Sequence, residues 1–305
     1  MALVGNLFAR GPSGFGYNST AEQVSEGLDL TGKTYLLTGA GSGLGQETMR
    51  VLVLRGARVL ATGRTLEKAT EAAAPFGDKV TPLACELAEP ASVRACIEQV
   101  KALGVPLDGI LTNAGIMALP KLELAHGYEL QFFTNHIGHF ILVTGLLDQL
   151  APAGRVVILS SAAHKNPPKA GIDFDNLKGE GKYSAWAAYG RSKLANALFA
   201  RELNRRLAPK GQLAVALHPG VIPTNLVRHM NPVLTSVMAV GKPLFLKTIP
   251  QGAATTVFAA THPDAAQYGG GYLDCCAPGK PSAHATDDAL ASRLWDVSER
   301  IAAEV

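Results

Sequence analysis

Six short apolar runs, each followed by a longer stretch of helical character, restrict what this chain can fold into more than any single motif does. The runs are "KTYLLTG", "ARVLAT", "KVTPLA", "DGILTN", "GRVVILSS" and "QLAVALHPG". Helix-like segments lie between and after them, among them "GQETMRVLVLRG", "SVRACIEQVKALG" and "YGRSKLANALFARELNRRL". A strand that is apolar throughout must be covered on both faces, so the alternation predicts an α/β domain: a doubly wound parallel sheet with helices on each side. Near the end, "GGGYLD" reads as a further strand, for about seven in all, and "DDALASRLWDVSERIAAEV" as a closing helix. With 305 residues and no internal repeat or low-complexity linker, one domain over residues 31–305 is expected. Residues 1–30 read as an N-terminal extension in which Ser19 and Glu22 have capping-box spacing for a short helix that Gly27 would end.

The first run leads straight into "TGAGSGLG", Thr38 to Gly45, which opens a helix. Glycines let the backbone turn sharply and approach a pyrophosphate, and a helix N-terminus adds unpaired N–H groups and partial positive charge. The common G-x-G-x-x-G spacing fails here, because Leu44 stands where its third glycine belongs. T-G-x-x-x-G-x-G fits instead, through Gly39, Gly43 and Gly45. At the end of the second run, where an NAD site places Asp or Glu for the adenine ribose, Gly63 and Arg64 stand. A glycine leaves room for a 2′-phosphate and a guanidinium can grip it, so NADP(H) is the expected cofactor; a plain surface arginine is the alternative.

Charge argues against a nucleic-acid partner. Lys and Arg number 28 against 25 Asp and Glu, a net of +3, and no basic stripe concentrates them. The four cysteines, Cys85, Cys96, Cys275 and Cys276, show neither a C-x-x-C pair nor zinc-type spacing, which suits a reduced, cytoplasmic protein without a metal. "MALVGNLFAR" is too short for a membrane anchor and lacks a basic start. The apolar stretch "HFILVTGLLDQLAPAGRVVILSSAA" is broken by Asp148, Pro152, Gly154 and Arg155, so it reads as a helix and then a buried strand rather than a transmembrane segment.

In "AAYGRSKLANALFA", Tyr189 and Lys193 are four residues apart and so share one face of the predicted helix. Either they form an unremarked polar face, or the phenol and the ammonium act on one small volume. A free phenol titrates near about 10, too high for proton exchange at neutral pH, and a neighbouring ammonium would bring it down.

Five motifs in order, "TGAGSGLG", "TNAG" (Thr112 to Gly115), Ser160-Ser161, "YGRSK" and "HPGVIPT" (His218 to Thr224), resemble the short-chain dehydrogenase/reductase family from about residue 30 to the C-terminus. "NHIGHF" (Asn135 to Phe140) and "ASRLWDVSE" look like its retinol-dehydrogenase-like branch; protochlorophyllide reductases carry a similar "NH-x-GHF" stretch and are the distant alternative. The resemblance implies a Rossmann-type fold and a catalytic set of Asn135, Ser161, Tyr189 and Lys193, with Tyr189 as general acid/base, Lys193 holding the nicotinamide ribose and Ser161 orienting the substrate oxygen. Ser160 is the fallback, since neighbouring strand residues face opposite sides and only one of the two can serve. Asn135 would hold a water behind the lysine. The cofactor-binding set implied is Gly39, Ser42, Gly43, Leu44, Gly45, Arg64, Glu86, Leu87, Asn113, Ala114, Gly115, Tyr189, Lys193, Pro219, Gly220 and Thr224. Of these, Glu86 replaces the family's usual Asp beside the adenine. His136, His139 and His218 read as packing or backbone-bonding residues, and His164 as a loop residue with a place beside the substrate as the alternative.

These residues predict hydride transfer between NADP(H) and an alcohol or carbonyl compound, as in a ketoreductase or alcohol dehydrogenase. A catalytically silent NADP(H)-binding regulator is the reading from another class. Residues 224–252, rich in Leu, Val and Met, correspond to the family's substrate lid and suggest a hydrophobic small-molecule substrate, with plain packing as the alternative. Pairing into a homodimer through the tyrosine helix is a further implication of the resemblance.

Overall fold

The structure is a computed structural model that describes residues 10–222 and 246–305. Its strands are β1 (Thr34–Thr38), β2 (Arg58–Gly63), β3 (Val80–Ala84), β4 (Leu107–Thr112), β5 (Leu150–Leu159), β6 (Leu213–His218), β7 (Tyr272–Asp274) and β8 (Ala277–Pro278). They form one sheet in the order β8-β7-β6-β5-β4-β1-β2-β3. The first seven are parallel to their neighbours, and the two-residue β8 adds an antiparallel edge. Successive strands run outward from β1 to β3, then resume on the other side of β1 with β4. The crevice at that reversal is where an open α/β sheet places its ligand. Pro82 is tolerated in β3 because β3 is the opposite edge strand.

The helices are α1 (Gly43–Leu54), α2 (Leu66–Ala73), α3 (Pro90–Ala102), α4 (residues 130–145), α5 (Ala185–Leu207), α6 (Ile249–Thr261) and α7 (Asp288–Glu304). Period-2 alternation along strands that are apolar on both faces divides the core in two. Leu36, Leu60, Ile110, Val156 and Ile158 point to the side covered by α3, α4, α5 and α7. Leu37, Val59, Ala61, Leu111 and Val157 point to the side covered by α1 and α6.

Two regions differ from the sequence expectation in detail. The N-terminal capping box is Thr20 with Gln23, on a helix Ala21–Val24, one residue later than the Ser19–Glu22 pairing. Ser19 instead accepts a hydrogen bond from the Gly16 N–H at 3.0 Å, so its hydroxyl serves the preceding turn. This helix buries Ala21 and Val24 among the residues of α1 and α6, while Phe15 packs edge-on to Phe258 at 6.1 Å. Of the lid expected over 224–252, residues 224–245, and with them Thr224, lie outside the described residues; Ile249 onward begins α6.

The C-terminal helix α7 is held against α4 and α5 by aromatic packing. Trp295 meets Phe140 at 5.0 Å and Phe199 at 5.8 Å, and the Arg206 guanidinium lies 3.9 Å from the indole centroid. Among the described residues, no helix is long and apolar enough to cross a membrane.

Candidate active site

A cleft of about 730 Å³ opens at the C-terminal ends of the strands. Its floor is the glycine loop: Gly39, Ser42, Gly43, Leu44 and Gly45 line it where β1 turns into α1. A Cβ on Gly45 would overlap the Gly39 carbonyl oxygen, so the turn closes only with glycine there. Ser42 takes the N-cap position of α1, yet its side chain makes no capping bond, which leaves the first-turn N–H groups of a 12-residue helix free for an outside acceptor. Gly63 and Arg64 line the far end. A Cβ on Gly63 would come within 2.9 Å of the Ala69 nitrogen, and the Arg64 side chain is exposed.

Glu86 and Leu87 form another wall. The Glu86 carboxylate accepts from the Ala88 N–H at 3.3 Å, so it is already turned onto its own loop. Asn113, Ala114 and Gly115 complete the lining. The Asn113 amide donates to the Thr38 and Gly39 carbonyls at 3.0 and 3.3 Å, tying the end of β4 to the glycine loop. Thr134 also lines the cleft, and its buried hydroxyl has no protein partner. Open helix N–H groups, an orphan hydroxyl and a glycine-walled slot at the sheet's reversal point fit a dinucleotide.

Tyr189 and Lys193 enter the same cleft from α5, both nearly fully buried, with the Lys193 Nζ 5.8 Å from the phenol ring centroid. The ammonium donates to the Leu159 carbonyl at the end of β5 at 3.1 Å, a carbonyl that also accepts from Asn196 at 2.9 Å. The expectation that the lysine lowers the phenol is not met. Burial pushes the Tyr189 phenol up to about 12, with only a hydrogen bond from Ser161 pulling the other way. Burial likewise brings Lys193 down to about 8. The same dry surroundings penalise the charged form of each.

The two serines part company. Ser160, rather than Ser161, lines the cleft, but it is buried and donates its hydroxyl to the Lys193 carbonyl at 2.7 Å, so it braces α5 against β5. Ser161 is half-buried, bonds to Tyr189, and accepts from the Ala163 N–H at 3.2 Å as it caps the short turn Ala162–Lys165. With its oxygen engaged by that N–H, its O–H is the group left to face the Tyr189 phenol.

Asn135 sits behind this pair on a π-helical turn, Phe133–Ile137, inside α4. Such turns open the regular hydrogen-bond ladder by one residue and often mark functional sites. Its amide accepts from the Ile116 N–H at 2.8 Å and donates to the Ile116 carbonyl and the Ser192 hydroxyl at 2.9 Å each, fixing the loop after β4 to the tyrosine helix. His139, one turn on, bonds the Asn135 carbonyl at 3.0 Å and the Thr38 hydroxyl at 2.9 Å. His136 bonds Ser298 of α7 at 2.8 Å, and His218 accepts from the Ala162 N–H at 3.2 Å. None of the three lines the cleft. His164 is fully buried and bridges two backbone segments, which removes it from the substrate side.

Pro219 lines the cleft; Gly220 does not, and lies against the aliphatic stem of Lys247. Sequence reasoning missed Thr134, Cys85, Leu130 and the apolar Ile116, Met117 and Leu119. Thr134 was within reach, since it precedes Asn135; the others carry no motif. Among the described residues, no group of three or more His, Cys, Asp or Glu could hold a metal.

Comparison with known proteins gives a consistent result. The family model described as "short chain dehydrogenase" matches residues 33–174. "Short-chain dehydrogenase TIC 32 A, chloroplastic" of Brassica napus is 40% identical over 305 residues, covering 95% of each chain. Human "Retinol dehydrogenase 14" is 37% identical over 299 residues, covering 88% of this chain and 86% of that one. Among solved structures, an uncharacterized protein of Mycobacterium paratuberculosis superposes with a TM-score of 0.74 at 32% identity, over 92% of this chain and 97% of that one. A short-chain dehydrogenase of Burkholderia cenocepacia solved with NADP gives 0.65 at 23%, over 80% and 96%.

Proposed function

The chain belongs to the short-chain dehydrogenase/reductase family, in its retinol-dehydrogenase-like branch, and from that premise we propose that it is an NADP(H)-dependent oxidoreductase interconverting a hydrophobic alcohol and its ketone or aldehyde. The observation that carries the reading is the entry of Tyr189 and Lys193 into a glycine-walled cleft, with Ser161 against the phenol and Asn135 bracing the tyrosine helix from behind. The bound nicotinamide supplies or accepts the hydride.

The residues divide the remaining work. Gly39, Gly43, Gly45 and the open N-terminus of α1 would hold the pyrophosphate, and the exposed Arg64 would hold the 2′-phosphate. Lys193 binds the nicotinamide ribose and Asn135 fixes the lysine's surroundings. In reduction, Tyr189 gives its proton to the carbonyl oxygen while the Ser161 O–H donates to the same oxygen. In oxidation, Tyr189 takes the alcohol proton back. Burial keeps the Tyr189 phenol protonated, so it carries the proton that reduction needs, and added positive charge beside the ring is what would bring it down into the range where it exchanges that proton near neutrality.

Apolar groups support a hydrophobic substrate. Ile116, Met117 and Leu119 line the cleft, and Trp186, 47% exposed, stands edge-on to Tyr189 at 6.2 Å. Four unpaired cysteines support the reduced cytoplasm as its setting. The test is NADPH oxidation over a panel of aromatic ketones, steroids, retinoids and aliphatic aldehydes. Tyr189→Phe is expected to lower turnover by at least about 100-fold with NADPH affinity within about twofold. Turnover that survives this change refutes the mechanism, and NADPH binding without turnover on any compound favours the silent-binder reading.

A further inference from the structure

We propose that His164 is a positioning residue for Ser161: a neutral imidazole held in one tautomer that ties the serine's carbonyl to the backbone of the C-terminal segment at Ser282, and thereby sets the direction of the Ser161 hydroxyl. The proposal rests on the oxidoreductase reading for the part Ser161 plays.

The tautomer follows from the partners. The Ser282 N–H donates to His164 Nε2 at 3.0 Å, so Nε2 presents a lone pair. The ring proton is therefore on Nδ1, which lies 2.6 Å from the Ser161 carbonyl oxygen, an acceptor. Both ring nitrogens are satisfied only in this state. Protonating Nε2 would set two donors against each other, and burial also keeps the imidazole below its ordinary titration range.

Ser161 caps a four-residue turn, Ala162–Lys165, and the imidazole adds to the bonds that hold it there. Its carbonyl accepts from the His164 backbone N–H at 3.1 Å as well as from the ring, and the next peptide N–H, of Ala162, is taken by His218. The His164 ring packs on Tyr272 of β7 at 4.7 Å between centroids. Beyond Ser282, the Ser282 hydroxyl accepts from the Ala285 N–H at 3.4 Å in the turn that enters α7. One imidazole thus joins the hydroxyl that orients substrate to a segment 118 positions away in sequence.

Two measurements test this. In the wild-type protein with NADPH bound, long-range 1H–15N spectra of the histidine ring are expected to show His164 as the Nδ1–H tautomer at neutral pH. The Nε2–H tautomer or an imidazolium overturns the proposal, whatever the enzyme acts on. In NADPH-oxidation assays with benzaldehyde or the best compound of the panel, His164→Phe keeps the ring on Tyr272 and removes both bonds. Its kcat is expected to fall about 10- to 100-fold, with KM and NADPH affinity within about twofold. His164→Asn, which retains a donor, is expected to recover most of that loss. In a Ser161→Ala background, His164→Phe should add less than about twofold, because the group it positions is gone. The same loss in both backgrounds, or a fall in NADPH affinity matching the fall in kcat, identifies His164 as a packing residue and overturns the proposal. If instead Tyr189→Phe retains turnover, the oxidoreductase reading fails while the tautomer result stands by itself.

Discussion

Lys193 shows what placing a charge in a dry cleft does to a protein. In the unfolded chain it titrates near 10.5, and in the folded chain near 8. Between those values the unfolded state binds more protons, so stability from this residue rises as pH climbs from about 8 to about 10.5, and at neutral pH its burial is a net cost. Lys193→Met is therefore expected to raise unfolding stability at pH 7 by about 1–3 kcal/mol in chemical denaturation, with Asn196 still satisfying the Leu159 carbonyl, while abolishing turnover. A variant both inactive and less stable would contradict the assigned desolvation. At the other end of the cleft, Arg64→Ala is expected to weaken NADPH by about tenfold and leave NADH nearly unchanged, as read by fluorescence titration. Equal losses would end the 2′-phosphate assignment. The sequence displayed the i, i+4 pairing of Tyr189 with Lys193. It did not display the direction in which the phenol moves, because burial is a property of the packed molecule and not of the spacing between two residues.

Helix α4 carries two fully buried histidines one turn apart in addition to Asn135. Burial holds His136 down at about 3 and His139 at about 4, against 6.5 in the unfolded chain. As pH falls below about 6.5 the unfolded state takes up protons that the native state refuses, so stability drops progressively towards pH 3. Thermal unfolding between pH 7 and pH 4 is expected to show this loss. His136 lies among Phe132, Phe140 and Phe199, so His136→Phe should make the curve shallower; an unchanged slope would assign the acid limb elsewhere. The helical segment "NHIGHF" was legible as a motif, but its π-helical turn was not. Apolar periodicity reports which side chains are buried and is silent on whether a backbone N–H bonds four or five residues back. A similar blindness hid the buried ion pair of Arg191 on α5 with Glu129, the residue just before α4. Its partners are 62 positions apart, and nothing local to "YGRSK" announces that the arginine points inward.

Over the whole molecule, the alternation of apolar runs and helices gave the parallel sheet, and motif order gave the crevice beside β1 and β4. What alternation could not show is how α7 is used. The sequence presented "DDALASRLWDVSERIAAEV" as a closing helix, and the structure lays it across α4 and α5, with Trp295 between Phe140 and Phe199 and Ser298 against His136. A second copy pairing through α5 must use the part of that helix α7 leaves free. Trp295→Ala is expected to cost about 3–5 kcal/mol in urea unfolding, the range for emptying a buried aromatic site. A loss below about 1 kcal/mol would mean that α7 is not part of the cooperative core. Because a ribosome delivers residues in order, β1 to β4 and the helices between them are complete while the remainder is still being translated. The asparagine and serine must wait: Ser298 and Ser282, which meet the imidazoles beside them, emerge only after all of α6. A nascent chain would thus acquire a nucleotide crevice well before it acquires the means to use one.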